Sequence, residues 1–372
     1  MDLEKLKQTA KLLMANDKGL LAMDESTQSC NKRFAKLGIP ETEEMRRAWR
    51  ELIITTPGLG NFISGVILYD ETIHQQKKDG TSFIKVLDAA GIIPGIKVDA
   101  GLKDMVGYPG EKVTEGLDGL PERLSEYYKM GARFAKWRAA FTIGQGIPTP
   151  LSGVTGPLSG PSQDCIRANA KSLADYALMC QEAGLVPMVE PEVLMDGGHT
   201  IDQCRQVTEK VLEEVFKQLD LKGVALEGMI LKPNMVLPGL DCPVQESVEQ
   251  VADATVACLL SMVPAKVAGV AFLSGGQSSQ LASARLSDMN ARFKSNLPWP
   301  LTFSYSRAIQ YPALEIWAGK PDKSQRHFDG PATMRALGGE ENIEAAQKAL
   351  YHRAKLNHLA RKGEYNMDME KA

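Results

Sequence analysis

Short apolar runs that end in a polar residue recur along this chain, and stretches of helical periodicity separate them. Eight are legible: GLLAMD ending at Asp24, ISGVILY near Tyr69, IIPGIKVD with Lys97, RFAKWRAAF with Lys136, LVPMVEPE with Glu190, GMILKPN with Lys232, GVAFLSGG with Ser274, and LTFSYSR with Arg307. Between them lie amphipathic stretches such as VTEKVLEEVFKQL, which places Val207, Val211, Val215 and Leu219 on one helical face. Strands alternating with helices predict a parallel sheet, and eight such units favour a closed (β/α)8 TIM barrel. An open doubly wound sheet is the competitor. It calls for a glycine-rich phosphate loop after the first strand, and AMDESTQS is not one.

In a closed barrel, the C-terminal ends of the strands share one mouth. Asp24, Lys97, Lys136, Glu190, Lys232, Ser274 and Arg307 are therefore expected around a common site. One apolar-strand lysine can simply reach into solvent, but polar residues ending so many separate strands are hard to explain as core. The MDLEKLKQTAKLLMA segment predicts an N-terminal helical extension, with Leu3, Leu6, Ala10, Leu13 and Met14 at helical spacing. The pattern from Ile343 to Leu359 predicts a C-terminal helix, followed by a frayed polar end, NMDMEKA. No linker divides residues 1–372, which read as a single domain. Residues 148–162, rich in proline, glycine and serine, read as a long loop: a surface insertion or a flap over the mouth.

Composition narrows the classes. At 372 residues with 44% hydrophobic and 24% charged positions, the chain suits a soluble enzyme with a large core. A formal charge of −3 gives no global pull toward nucleic acid, and no run reaches the length of a membrane span. Six scattered cysteines form no CxxC pair, so neither a metal site nor a disulfide framework is expected, and a reducing cytoplasm fits. The five histidines are dispersed and read as surface or helix residues.

The lysine in GMILKPN carries the sharpest chemistry. A buried ammonium is costly, and an amine freed of its proton can form a Schiff base with a ketone. Around Lys232, a second lysine (Lys136) can act by like-charge repulsion. Glu190 and Glu192 offer a carboxylate for carbinolamine dehydration, and Asp24 offers a base for a hydroxyl proton. The glycines of FLSGGQS suit an oxyanion nest, to which Arg307 adds a planar fork. Ser26, Ser29, Lys32, Arg33 and Lys97 form a second basic set. Two anion sites flanking a Schiff-base lysine suggest a bisphosphorylated sugar cleaved by a retro-aldol reaction.

With GLLAMDEST, KR, GIKVD, GLDGL, FAKWR, VEPE, LEGMILKPNM, FLSGGQS and LTFSYSR in this order, the chain resembles class I fructose-1,6-bisphosphate aldolases nearly end to end. GLLAMDES is more similar to the plastid and cyanobacterial branch. The resemblance implies Lys232 as the Schiff-base lysine, Glu190 as general acid–base, Lys136 as the second lysine, and Asp24 as the base for C3–C4 cleavage. It implies Ser274, Gly275, Gly276, Ser304 and Arg307 around the 1-phosphate. Ser26, Ser29, Arg33 and Lys97 fall near the 6-phosphate, with Arg138 and Glu192 beside the substrate. It further implies no metal or other cofactor, a cytoplasmic homo-oligomer (a tetramer), and a place in glycolysis, gluconeogenesis or the Calvin cycle. A preference for sedoheptulose 1,7-bisphosphate and a non-catalytic phosphosugar-binding scaffold stay open. The chain departs from the common pattern at Ala100, where many members have lysine, and at Ser306, where many have glycine. It also ends without the long extension that closes in tyrosine; its tail tyrosine is Tyr365, expected to pack locally.

Overall fold

A computed structural model describes residues 2–144, 160–319 and 340–371. The predicted strands are present as β1 (Gly19–Ala22), β2 (Ile63–Leu68), β3 (Ile93–Lys97), β6 (Phe134–Phe141), β7 (Val186–Val193), β8 (Ile230–Leu231), β9 (Val270–Phe272) and β10 (Leu301–Tyr305). They close in the order β1-β10-β9-β8-β7-β6-β3-β2, all neighbours parallel. An antiparallel hairpin, β4 (Gly101–Asp104) with β5 (Lys112–Glu115), stands between β3 and β6 and has no counterpart in the sequence reading. The helices are α1 (Leu3–Leu13), α2 (Thr27–Leu37), α3 (Glu43–Ile54), α4 (Asp70–Ile73), α5 (Phe83–Ala89) and α6 (Leu120–Met130). They continue as α7 (Gln163–Glu182), α8 (Ile201–Leu221), α9 (Val248–Met262), α10 (Ser279–Phe293), α11 (Arg307–Trp317) and α12 (Glu340–Lys362).

Alternation along the strands sorts the apolar residues into two cores. Side chains at i and i+2 of a strand share a face. Leu20, Ala22, Phe134, Val186, Met188, Ile230 and Ala271 point into the barrel and meet Leu6, Ala10, Leu13 and Met14 of the α1 segment. Leu21, Ala135, Trp137, Val189, Leu231 and Phe303 point outward to the helices. Helix α1 lies at the N-terminal ends of the strands: a Cβ at Gly65 would sit 2.6 Å from Leu13, and one at Gly228 3.2 Å from Leu6. Each leucine buried in this plug contributes roughly 1.5–3 kcal/mol. Phe134 fills the barrel so fully that a Cβ on Gly95 would come within 2.3 Å of its ring.

The outer helices follow the predicted faces. Val207, Val211, Val215 and Leu219 of α8 are buried, as are Trp49, Leu52 and Ile53 of α3. Two expectations are corrected. The tail is not frayed: residues 367–371 form a 3-10 turn, and Glu370 holds Arg353 at 2.5 Å and the Tyr365 hydroxyl at 2.7 Å. A polar tail reads as loose because its partner, a buried arginine on α12, lies outside it. His199, expected on a surface or helix, is fully buried in the loop before α8. Of the 148–162 loop, only residues 160–162 fall within the described residues; Ser162 is the N-cap of α7.

Candidate active site

The inward-facing positions of the strands change character as they leave the barrel. Leu20 and Ala22 are followed by Asp24; Phe134 by Lys136 and Arg138; Val186 and Met188 by Glu190 and Glu192; Ile230 by Lys232. Each polar residue is one pleat beyond an apolar residue of the same face, so the strand that fills the core also delivers the charge. Register completes the arrangement: Lys97 pairs with Lys136, and Arg138 with Glu190. These residues line a cavity of about 750 Å³, ample for a phosphorylated sugar.

At its floor four charges alternate. Lys136 Nζ lies 2.6 Å from Asp24 and 3.1 Å from Glu190 Oε2, while Glu190 Oε1 lies 3.1 Å from Lys232 Nζ. All four are buried, Lys232 being 3% exposed. Burial pushes the carboxyls of Asp24 and Glu190 up, but Lys136 and then Lys232 outweigh it and hold both below the ordinary range. Burial opposes the charge of Lys136, yet Asp24 and Glu190 keep its amine well above its usual value. Lys136 is thus a charge-balanced ammonium, and not the uncompensated neighbour of Lys232 that like-charge repulsion alone assumes. Glu190, which touches both amines, separates them.

The rim carries the anion-binding groups. Gly275 and Gly276 take φ of +59° and +98°, a left-handed run open to glycine, in the turn after β9. Gly276 does not line the cavity, unlike the other expected residues; a Cβ there would lie 3.5 Å from Arg307 Nη2. That is ordinary van der Waals contact, so glycine is favoured there by its backbone angle and not by lack of space. The Ser304 hydroxyl is 1% exposed, lines the cavity and has no partner among the described residues. Ser26 is the N-cap of α2, accepting from the Ser29 N–H, so the start of α2 stands at the mouth with Lys32 and Arg33 behind it. Lys97 is tied to Asp99 at 2.7 Å and Arg138 to Glu192 at 2.5 Å. Burial and the nearby Arg33 push the Arg307 guanidinium down from its ordinary value. Arg33 also reaches the hydroxyl of Ser306, the residue before Arg307, at 3.3 Å.

A family model described as fructose-bisphosphate aldolase class-I matches residues 5–329. The chain belongs to the class I fructose-bisphosphate aldolase family. It is 50% identical over 365 residues to a probable fructose-bisphosphate aldolase class 1 of Xanthomonas axonopodis pv. citri, covering 98% of this chain and 99% of that one. To the chloroplastic fructose-bisphosphate aldolase 3 of Arabidopsis thaliana it is 45% identical over 367 residues, 99% of this chain and 85% of the relative. A co-crystal structure of the Plasmodium falciparum fructose-bisphosphate aldolase superposes with a TM-score of 0.87 at 44% identity, covering 98% of this chain and 95% of that one.

Beside the residues expected in this aldolase, the cavity holds Glu25, Tyr69, Asp99 and Ser306. Glu25 is the most connected. Its carboxylate meets Arg33 at 2.5 Å, Arg50 at 2.6 Å, the Ser306 hydroxyl at 2.5 Å and Gln310 at 3.1 Å. Burial would raise its pKa, but Arg33 and Arg50 draw it far below the usual carboxylate range. A signal for this cluster exists in α3. Arg46, Trp49, Arg50 and Ile53 fall at i, i+3, i+4 and i+7, so two arginines share the buried face and require buried acceptors.

Proposed function

We propose that this protein reversibly cleaves fructose 1,6-bisphosphate to dihydroxyacetone phosphate and glyceraldehyde 3-phosphate through a Schiff base on Lys232. The observation that carries the reading is Glu190, held 3.1 Å from each of two buried lysine amines, with Asp24 on the far side of one of them. Binding alone needs no such proton-transfer chain, which argues against an idle scaffold. Ionised Glu190 takes the proton that Lys232 must lose before its amine adds to the ketone carbon. The same proton then leaves with the carbinolamine hydroxyl as water, giving the protonated imine. Asp24 accepts the carbon-4 hydroxyl proton as the C3–C4 bond breaks and its electron pair moves into the imine, leaving an enamine and the aldehyde. Protonation at carbon 3 and hydrolysis release the second triose. Lys136, between Asp24 and Glu190, keeps both carboxylates charged at neutral pH. Each acid–base contribution is worth about 10²–10⁴ in rate.

Substrate recognition falls to the rim. Ser274, Gly275, Ser304 and Arg307 take the 1-phosphate, with Gly276 completing the glycine turn beside them. Ser26, Ser29, Arg33 and Lys97 take the 6-phosphate, and Arg138 with Glu192 border the sugar. We place the enzyme in the cytoplasm as a homotetramer acting in glycolysis, gluconeogenesis or the Calvin cycle, with residues 1–372 working as one unit. The free, buried state of all six cysteines supports a reducing compartment. Borohydride in the presence of dihydroxyacetone phosphate should fix one triose phosphate per chain, at Lys232, and cleavage should survive EDTA. Label on another residue, or activity lost on chelation and restored by a divalent metal, overturns the reading.

A further inference from the structure

Ser306 sits at the N-cap of α11 with φ −105° and ψ −88°, and its hydroxyl caps no backbone N–H of the helix it precedes, though the Gln310 side chain donates to it at 3.4 Å. A serine there ordinarily accepts from an N–H two or three residues on. Here Oγ is turned to the cavity wall, 2.5 Å from Glu25 Oε1 and 3.3 Å from both Nη1 and Nη2 of Arg33. The hydroxyl has one proton, which goes to the carboxylate, and its lone pairs accept from the guanidinium. Glu25 also binds Arg50 at 2.6 Å, so one carboxylate serves two guanidiniums and a positive charge is left over. The Arg50 side chain is 3% exposed, whereas that of Arg33 is 23% exposed and lines the cavity. The surplus charge therefore faces the substrate through Arg33.

We infer that Ser306 is a positioning residue: its hydroxyl clamps Arg33 onto Glu25 and aims that guanidinium at the phosphate remote from the Schiff-base carbon. The inference rests on the aldolase reading of this site and adds a source of selectivity for bisphosphorylated over monophosphorylated ketoses. Arg33 lies on α2 with Ser26, Ser29 and Lys32, away from the carboxylate–lysine chain at the floor. Loss of the clamp therefore acts on recognition of one phosphate and leaves the proton transfers alone.

The test compares wild type, Ser306→Ala and Ser306→Thr on fructose 1,6-bisphosphate and fructose 1-phosphate. Equilibrium binding of the non-cleavable hexitol 1,6-bisphosphate is measured alongside by calorimetry. Ser306→Ala should raise KM for the bisphosphate about tenfold, the scale of a lost bond to a charged group, with kcat within about twofold. Fructose 1-phosphate turnover should change less than about twofold, hexitol bisphosphate should bind about tenfold more weakly, and Ser306→Thr should restore most of both losses. Equal losses on both sugars, a fall in kcat at constant KM, or unchanged behaviour overturns the assignment. Ser306→Gly carries the same comparison where the alanine variant does not fold. The calorimetric arm separates the two readings: a wild type that binds the hexitol but does not cleave the sugar refutes the aldolase reading, and the Ser306→Ala binding ratio still decides the role of Ser306.

Discussion

The two ends of the barrel are built from the same strands by the same alternation, yet they solve opposite problems. At the N-terminal end, inward-facing residues are apolar and α1 closes the opening with Leu6, Ala10, Leu13 and Met14. The principal buried charge described there, Arg361 of α12, donates to the carbonyls of Met14 and Lys18. Its pKa is pushed down to about 10 by burial, against the pull of Asp17. That cation is satisfied by fixed backbone dipoles, one at the C-cap of α1 and one just before β1. At the C-terminal end the inward positions are charged, and they are satisfied by one another through side chains: Asp24, Lys136, Glu190 and Lys232 on the floor, Glu25 with its arginines on the wall. Backbone dipoles cannot give up a proton at neutral pH, whereas paired carboxylates and amines can. One end is therefore suited to holding the fold, the other to moving protons.

If that contrast is right, defects at the two ends must differ in kind as well as size. Glu25→Gln leaves Arg50 buried without its charge partner and should destabilise by about 3–5 kcal/mol at neutral pH. The pH dependence has a definite sign. The folded-state pKa of Glu25 is depressed, so its contribution is fully present above the unfolded carboxyl range (about 4) and is lost as pH falls through the folded value. The gap between wild type and Glu25→Gln should narrow on acidification below about pH 4 in denaturant titrations. Leu13→Ala should also destabilise, by about 2–5 kcal/mol, but with a gap that stays flat across the same pH range. A pH-dependent gap for Leu13→Ala, or a flat one for Glu25→Gln, would erase the distinction between the ends.

Next in size is Lys136→Met, expected to lower kcat more than about 100-fold, roughly 2.7 kcal/mol of transition-state stabilisation. Steady-state kinetics that moved KM and spared kcat would return Lys136 to a binding role. The smallest effect should come from the tail. Tyr365 is 7% exposed, with its hydroxyl bonded to Glu370 and its carbonyl accepting from Ser287. Tyr365→Phe should leave carbon-3 proton exchange of dihydroxyacetone phosphate within about threefold of wild type, less than about 1 kcal/mol. A hundredfold loss of exchange with the fold intact would show that the tail reaches the mouth.

Much of the site was legible in the sequence because its residues lie on the barrel strands or one or two positions past their ends. Asp24, Lys136, Glu190 and Lys232 each end an apolar run, and a closed parallel barrel brings such ends together whatever the helices do. Gly276 lies in the expected turn after β9 but does not line the cavity, since only the tertiary structure shows which residues of that turn face it. The tail looked loose because its stability depends on Arg353 and on Tyr365 packed over α10, contacts invisible to local polarity.

The sequence by itself determined the eight-unit barrel and the identity of the charged strand ends, since both follow from a local period: apolar residues at alternate positions, then a polar residue on the same face. What only the tertiary structure decided is how those charges are paired. Glu25 and Ser306 are 281 positions apart, Glu25 and Arg50 come from a strand end and a surface helix, and Arg33 of α2 bonds both Glu25 and Ser306. Periodicity says which face a side chain points to. It says nothing about which distant side chain will be waiting there, and that pairing sets the charge state of each group.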